Sequence, residues 1–438
     1  MTISPLRLAA VGVGVLASAF AITGADAAPP PTILVSVNTV GAAGDNSSVA
    51  PSISSSGNRI AFQSFADDLV AGDDNECSDV FVRDVKNGTT ARVSVDRSGH
   101  DANAGSFGSS ISANGRYVAF QSDASDLVAG DGNGVNDVFV RDLRTNRTER
   151  ISAGIKANDP TRRVDGASIS GNGRLVTFQV SVGSPASSTE IYVRDRVAHS
   201  TSKVSVSTTG GQADGSSWQP RISRNGAYVA FISTATNLVE AETTGSGDVF
   251  RRDLAADRTV LVSKDRFGGP ADDSALGGAP AISADGRYVV FHDQASDLVA
   301  DDTNGEPDVF RRDMTTKKTV RVSVTSDEEQ VSGFGSFHTV GMGISDGGRY
   351  VTFSSDFSFL TDNDTNGQPD VFLRDVAAGT TTLVSAGMDG KSPNGYSIQP
   401  SITGTGCFVA FSSFADGITT NDTNDGVDDI FRSAGRTC

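Results

Sequence analysis

The sequence predicts an all-β fold, a closed seven-bladed β-propeller of four-stranded antiparallel blades, and three observations predict it. A phrase ending in Phe returns seven times, each copy carries four strand-like segments, and an isolated N-terminal strand supplies what the last copy lacks. The 438 residues include 48 Gly and 23 Phe with only 20% charged side chains, a composition suited to short strands joined by many turns. A chain this long ordinarily divides into several domains, but repeats escape that limit because each unit has a small core of its own.

The clearest copies of the phrase are Ile111-Ser112-Ala113-Asn114-Gly115-Arg116-Tyr117-Val118-Ala119-Phe120 and Ile282-Ser283-Ala284-Asp285-Gly286-Arg287-Tyr288-Val289-Val290-Phe291. Its last residue recurs as Phe62, Phe120, Phe178, Phe231, Phe291, Phe353 and Phe411, at intervals of 58, 58, 53, 60, 62 and 58 residues. In each unit a short Ser-Ile-Ser strand meets an Asn-Gly or Asp-Gly turn, whose tolerance of positive φ suits a tight hairpin. A second strand such as Arg116 to Ser122 follows, then an Asp/Asn/Gly loop, then a third strand, Asp137 to Asp142. The fourth strand, Thr148 to Ala153, has the form Thr-x-x-Val-Ser-Val seen in most units. Four antiparallel strands per repeat predict a propeller blade, with an open solenoid of hairpins as the alternative.

The chain ends favour the ring. The seventh unit stops after its third strand, Asp429-Ile430-Phe431-Arg432, whereas Thr32-Ile33-Leu34-Val35-Ser36-Val37 is a fourth strand with no preceding three. Placed in the last blade, it closes the ring and removes an open sheet edge.

Residues 1–27 read as a secretory signal peptide: Arg7, an apolar run from Leu8 to Ile22, and Ala25-Asp26-Ala27 as the cleavage site. A Pro-rich linker, 28–31, and one propeller domain, 32–438, follow. The expected protein is therefore exported, secreted or periplasmic, without membrane insertion, and monomeric. A net charge of −17 argues against nucleic acid, because phosphate binding needs clustered Lys and Arg. Three cysteines cannot be the main support of an exported chain this size. Cys407 and Cys438 should lie at one end of the last blade and pair, leaving Cys77 free.

The repeat resembles that of the TolB-like, WD-like propellers, in which a second strand follows Ser-x-Asp-Gly-Arg/Lys and the third reads Asp-Ile/Val-Tyr/Phe-Val-x-Asp. The likeness covers nearly all of the mature chain. It implies the fold, but not a role, since relatives of this repeat include periplasmic partner-binding proteins and substrate-gating domains of serine peptidases. This chain shows neither the additional α/β domain of the former nor the hydrolase domain of the latter.

No Gly-x-Ser-x-Gly elbow, His-x-x-His pair or Cys-x-x-Cys pair occurs, and His100, His199, His292 and His338 hold no fixed place in the repeat. The pairs Arg83-Asp84, Arg141-Asp142, Arg194-Asp195, Arg252-Asp253, Arg312-Asp313 and Arg374-Asp375 recur at the end of strand three. Such recurrence fits a turn-forming Asp beside an interblade Arg better than a catalytic pair. Trp218, the single tryptophan, suits either blade packing or an aromatic contact to a sugar or peptide.

The most informative chemistry lies between strands two and three. Five units carry Asp-x-Asn and a further Asp: Asp73, Asn75, Asp79; Asp131, Asn133, Asp137; Asp302, Asn304, Asp308; Asp364, Asn366, Asp370; and Asp422, Asn424, Asp428. Gly134, Gly305 and Gly367 would let three of these loops curl so that their oxygens converge. Hard oxygen ligands in a tight loop suit Ca²⁺, and the competing reading is a set of solvated Asx-turns. The fourth unit keeps a degraded copy, Glu242, Thr244, Gly245 and Asp248, and the third has lost the pattern.

The sequence thus points to an exported, non-catalytic binding or scaffold propeller that takes a protein, peptide or glycan ligand at one face, with Ca²⁺ as a stabiliser. The alternative is a secreted hydrolase or lyase with its site in the central funnel. Converging carboxylates or a His pair at the axis would favour the enzyme.

Overall fold

The computed structural model describes residue 1 and residues 32–155, 159, 161–183, 188–240, 243–275, 278–331, 341–357, 359–424 and 426–435. The expected signal peptide and linker fall, beyond Met1, outside the described residues, as do Glu242, His338 and Cys438. Among the described residues no helix is present.

Seven four-stranded antiparallel sheets follow one another around a ring. Blade I comprises Ser48–Ile53, Arg59–Ser64, Asp79–Asp84 and Thr89–Arg92. Blades II to VI repeat this order over 106–150, 163–203, 217–261, 281–321 and 342–383. Blade VII takes Ser397–Ile402, Phe408–Ser413 and Asp429–Ala434 from the end of the chain and Ile33–Leu34 from its beginning. Ile33 faces Arg432 and Leu34 faces Phe431, and the Val35 N–H donates to the Ile430 carbonyl at 2.7 Å. The expected ring closure is therefore present, with the regular strand shorter than Thr32 to Val37.

The middle strands are buried on both faces because neighbouring blades stack on them, so their apolar residues run continuously. Val118, Ala119 and Phe120 of blade II have no exposed surface. In every blade the aromatic residue of strand two meets that of strand three, as in Phe62 with Phe81 and Phe178 with Tyr192, with ring centroids 5.9 and 6.0 Å apart. The cores lie between blades: Val80 and Val82 of blade I pack with Val118, Phe120 and Phe139 of blade II.

The turn between strands one and two joins each blade to the previous one. Gly286 adopts φ +74°, and a Cβ there would lie 2.1 Å from Tyr228 Cδ2 of blade IV. Only glycine satisfies both the left-handed backbone and the close approach. At the same end, Asp142 accepts from Arg116 Nε and Nη2 at 2.8 and 2.5 Å and from the Arg144 N–H at 3.0 Å. The Arg116 guanidinium holds this carboxyl well below the usual carboxylate range. The neighbouring arginines serve elsewhere: Arg374 Nη1 donates to the Thr325 carbonyl, on the segment leaving blade V, at 2.9 Å. The repeated Arg-Asp pairs are thus turn and interblade devices. Cys407 is disulfide-bonded and Cys77 is free.

Candidate functional site

Residues from all seven blades, most of them on or beside the first strands, line a cavity of about 860 Å³. Five of the first strands carry a bulge, between Val49 and Ser52, Phe107 and Ser110, Asp165 and Ser168, Trp218 and Arg221, and Ile398 and Ser401. The bulge re-aims side chains toward the axis and puts its own N–H groups off the ladder. Ala50, Gln219 and Gln399 adopt left-handed backbone there, at φ 55°, 55° and 57°. Glutamines satisfy the freed donors across blade boundaries. Gln399 Oε1 accepts from the Ala50 N–H at 2.7 Å, and Gln179 Oε1 accepts from the Gln219 N–H at 2.6 Å.

The cavity wall is largely neutral, about half polar and half apolar. Gln121, Gln179, Gln219 and Gln399 supply amides, Ser52, Ser109 and Ser110 supply hydroxyls, and Trp218 is the aromatic residue. Gln219 Oε1 and Ser109 Oγ are buried without a protein hydrogen-bond partner. Asp165, Arg221 and His292 are the ionisable residues in the wall among the described residues. Burial lowers the proton affinity of the Arg221 guanidinium and the charge of Asp165 opposes this. Among the described residues the wall thus holds one carboxylate and one histidine beside an arginine. Trp218 belongs to strand one, Ser217–Ile222, packs against the core between blades IV and V and also lines the cavity.

The other end of the axis is closed by a residue that sequence reasoning did not single out. Arg224, in the first turn of blade IV, donates to Ser55 Oγ of blade I and, at 3.2 Å, to the Ile402 carbonyl of blade VII. Its Nε lies 3.3 Å from Asp346 of blade VI. One side chain thereby ties together turns from four blades. No local signal marks it, since the equivalent position is Ser55, Ala113 or Gly171 in the first three units.

The acidic loops lie at the strand-one entry end, around the mouth. Each closing Asp is held by the serine of the Val-Ser strand: Ser323 Oγ donates to Asp308 Oδ1 at 2.5 Å while accepting from the Val309 N–H at 3.0 Å. The asparagines form Asx-turns, as when Asn304 Oδ1 accepts from the Glu306 N–H at 3.1 Å and Asn304 Nδ2 donates to the Val331 carbonyl at 3.0 Å. Asn75, Asn133 and Asn366 likewise turn an amide N–H toward the closing Asp, at 3.1, 2.7 and 3.1 Å. The asparagine oxygens are therefore committed to the turn. Gly134, Gly305 and Gly367 take φ 69°, 68° and 64°, curling the loops as expected. In blade VII the closing residue is Asp429, which pairs in register with Ser413 and accepts from Ser36 Oγ at 2.5 Å. Asp428, assigned there from spacing, instead accepts from Tyr396 Oη at 3.0 Å, because this loop is one residue longer.

Arginines from strand four enter three of the loops. Arg92 Nη1 lies 2.8 Å from Asp73 and 3.8 Å from Asp79 and also meets Asp101. Arg150 Nη1 lies 2.5 Å from Asp131 and 3.5 Å from Asp137, and Arg321 lies 3.2 Å from Asp302 and 3.3 Å from Asp308. Asp73, Asp79 and Asp101 each bring one oxygen within 4.8 Å of the others, a grouping able to hold a metal ion. Burial pushes Asp73 and Asp308 up to about 6 against the pull of their arginines. In blade VI burial carries Asp364 to about 6 and, with the charge of Asp364 beside it, Asp370 to about 8.

No family model and no curated protein matches the chain. Solved structures do match. An oligogalacturonate lyase in complex with manganese has TM-score 0.54 and 10% identity over 92% of this chain and 96% of its own. The β-propeller domain of the Trilobed protease from Pyrococcus furiosus has TM-score 0.51 and 11% identity over 89% of this chain and 96% of its own. A TolB from Agrobacterium tumefaciens has TM-score 0.38 and 15% identity over 63% of this chain and 80% of its own. At these identities the first two likenesses bear on the fold alone, in agreement with the seven four-stranded sheets. Among the described residues no helix is long and apolar enough to cross a membrane.

Proposed function

We propose that the protein is an exported, non-catalytic binding propeller whose central funnel takes a neutral, hydroxyl-rich ligand, a glycan segment. The observation that carries this reading is the cavity wall: side-chain amides, serine hydroxyls and one indole, with Gln219 Oε1 and Ser109 Oγ left without protein partners. Buried polar atoms are nearly always hydrogen-bonded, so two orphans in one wall call for a ligand or water that supplies the bonds. A cavity of about 860 Å³ lies within the usual range for small-molecule sites.

Trp218 is the only tryptophan, so its fluorescence reports directly on the funnel. Titration with neutral oligosaccharides should change its emission saturably, and Gln219→Ala should weaken the response at least tenfold. A response to peptides alone would replace the ligand class, and silence to both would remove the reading. A lyase is the second reading, supported by Arg221 and His292 in the same wall. Release of new reducing ends from a polysaccharide during the same incubation would favour it.

A further inference from the structure

We propose that the acidic loop of blade VI is a divalent-cation site of the calcium class, held by the carboxylates of Asp364 and Asp370, and that an arginine replaces the ion in blades I, II and V. This proposal is independent of what occupies the funnel.

Strand register carries the comparison. Arg92, Arg150 and Arg321 stand opposite Phe81, Phe139 and Phe310, and from there each guanidinium reaches both carboxylates of its loop. The residue opposite Phe372, the corresponding position of blade VI, is Leu383. A leucine fills the space of the arginine stem but brings no charge. The rest of the loop is unchanged: Ser385 Oγ donates to Asp370 at 2.5 Å, Asn366 Nδ2 donates to Asp370 at 3.1 Å, and Asn366 Oδ1 accepts from the Gln368 N–H at 2.8 Å. The scaffold that presents two carboxylates to a cation is kept, and the cation supplied by the chain is lost.

A second observation is independent of that comparison. Asp364 is 4% exposed, and the groups that approach its carboxylate are neutral, the Asn366 N–H and the Ser392 hydroxyl, neither in well-formed hydrogen-bond geometry. Its counterparts Asp73, Asp131 and Asp302 are held by Arg92, Arg150 and Arg321. A buried carboxylate with no positive charge to balance it is strongly unfavourable, and it sits beside a second carboxylate, that of Asp370, which has no exposed surface. Oxygen-only ligands with irregular spacing favour Ca²⁺ over Mg²⁺, which demands near-octahedral geometry and surrenders water reluctantly. Water and loop carbonyls would complete the shell, giving an affinity like that of weak extracellular sites, with Kd on the order of 10⁻⁴ to 10⁻³ M.

The test is equilibrium dialysis with calcium on the whole folded chain, alongside melting curves in chelator and in calcium. Leu383→Arg rebuilds the internal cation and should bind one equivalent fewer than wild type while melting higher in chelator. Asp364→Asn should lose the same equivalent and melt no lower than wild type in chelator, because a buried unpaired charge has been removed. At ten to a hundred times Kd, calcium should favour the folded wild type about 10- to 100-fold, and magnesium less. Equal calcium stoichiometry in wild type and Asp364→Asn overturns the assignment. So does a folded Leu383→Arg that keeps the full stoichiometry, or a wild-type melting curve that calcium does not move.

Discussion

Removal of residues 32–37 tests what holds the ring shut. That segment carries Leu34, Val35 and Val37, which are 6%, 0% and 5% exposed. At about 1.5–3 kcal/mol for each buried aliphatic side chain, their loss amounts to about 5–9 kcal/mol, comparable to the whole stability of a typical domain. Polar losses add to this. Ser36 Oγ donates to Asp429 at 2.5 Å and accepts from the Ile430 N–H at 2.9 Å, and both of those partners are buried. Ser36→Ala alone strands them and should cost about 1–3 kcal/mol. Trp218 lies in blade IV, across the ring from the break, so its fluorescence separates local fraying of blade VII from global unfolding. In urea titrations Ser36→Ala should lower the midpoint with one coincident transition by fluorescence and circular dichroism. The truncated chain should aggregate or unfold far below wild type, with blade VII left as an open edge. A truncated chain with the wild-type midpoint would refute closure by this strand.

Two further perturbations follow from the same geometry. Gly286→Ala forces an unfavourable φ of +74° and drives a Cβ into Tyr228, and should lower stability by about 1–3 kcal/mol; an unchanged melting temperature would mean that the blade IV–V contact relaxes freely. Asp293 stands where other blades carry Ser64, Ser122 or Ser233; burial, with Asp248, Asp273 and Asp297 nearby, raises it to about 8. The folded state therefore keeps this proton between pH 4 and 8 while the unfolded chain releases it, so stability falls as pH rises through that window, by up to about 1.4 kcal/mol per pH unit. The depressed carboxyls of Asp142 and Asp313 act in the opposite sense but below that window. Urea midpoints at pH 5 and pH 8 should differ less in Asp293→Ser than in wild type, the remaining difference coming from the other raised carboxyls such as Asp308, Asp364 and Asp370, and identical pH dependence in variant and wild type would exclude the group.

Sequence by itself determined the architecture, because a propeller blade is built from local rules. The Asn-Gly and Asp-Gly turns, the Phe of strand two and the Val-Ser strand each act within one unit, so seven copies reveal seven blades. Closure was equally legible, since Thr32 to Val37 matches a strand that the last unit lacks. The tertiary structure alone decided which charges meet. Arg92, Arg150 and Arg321 follow their loops by many residues and reach them only through strand pairing, so spacing made five loops look alike that register divides into neutralised and open ones. Register also exchanged Asp428 for Asp429. Arg224 had no motif because its partners Ser55, Asp346 and Ile402 come from three other blades and become neighbours only where the first strands converge. The funnel wall is hidden for the same reason: each blade contributes two to four residues, and no stretch of chain contains the site that the ring assembles.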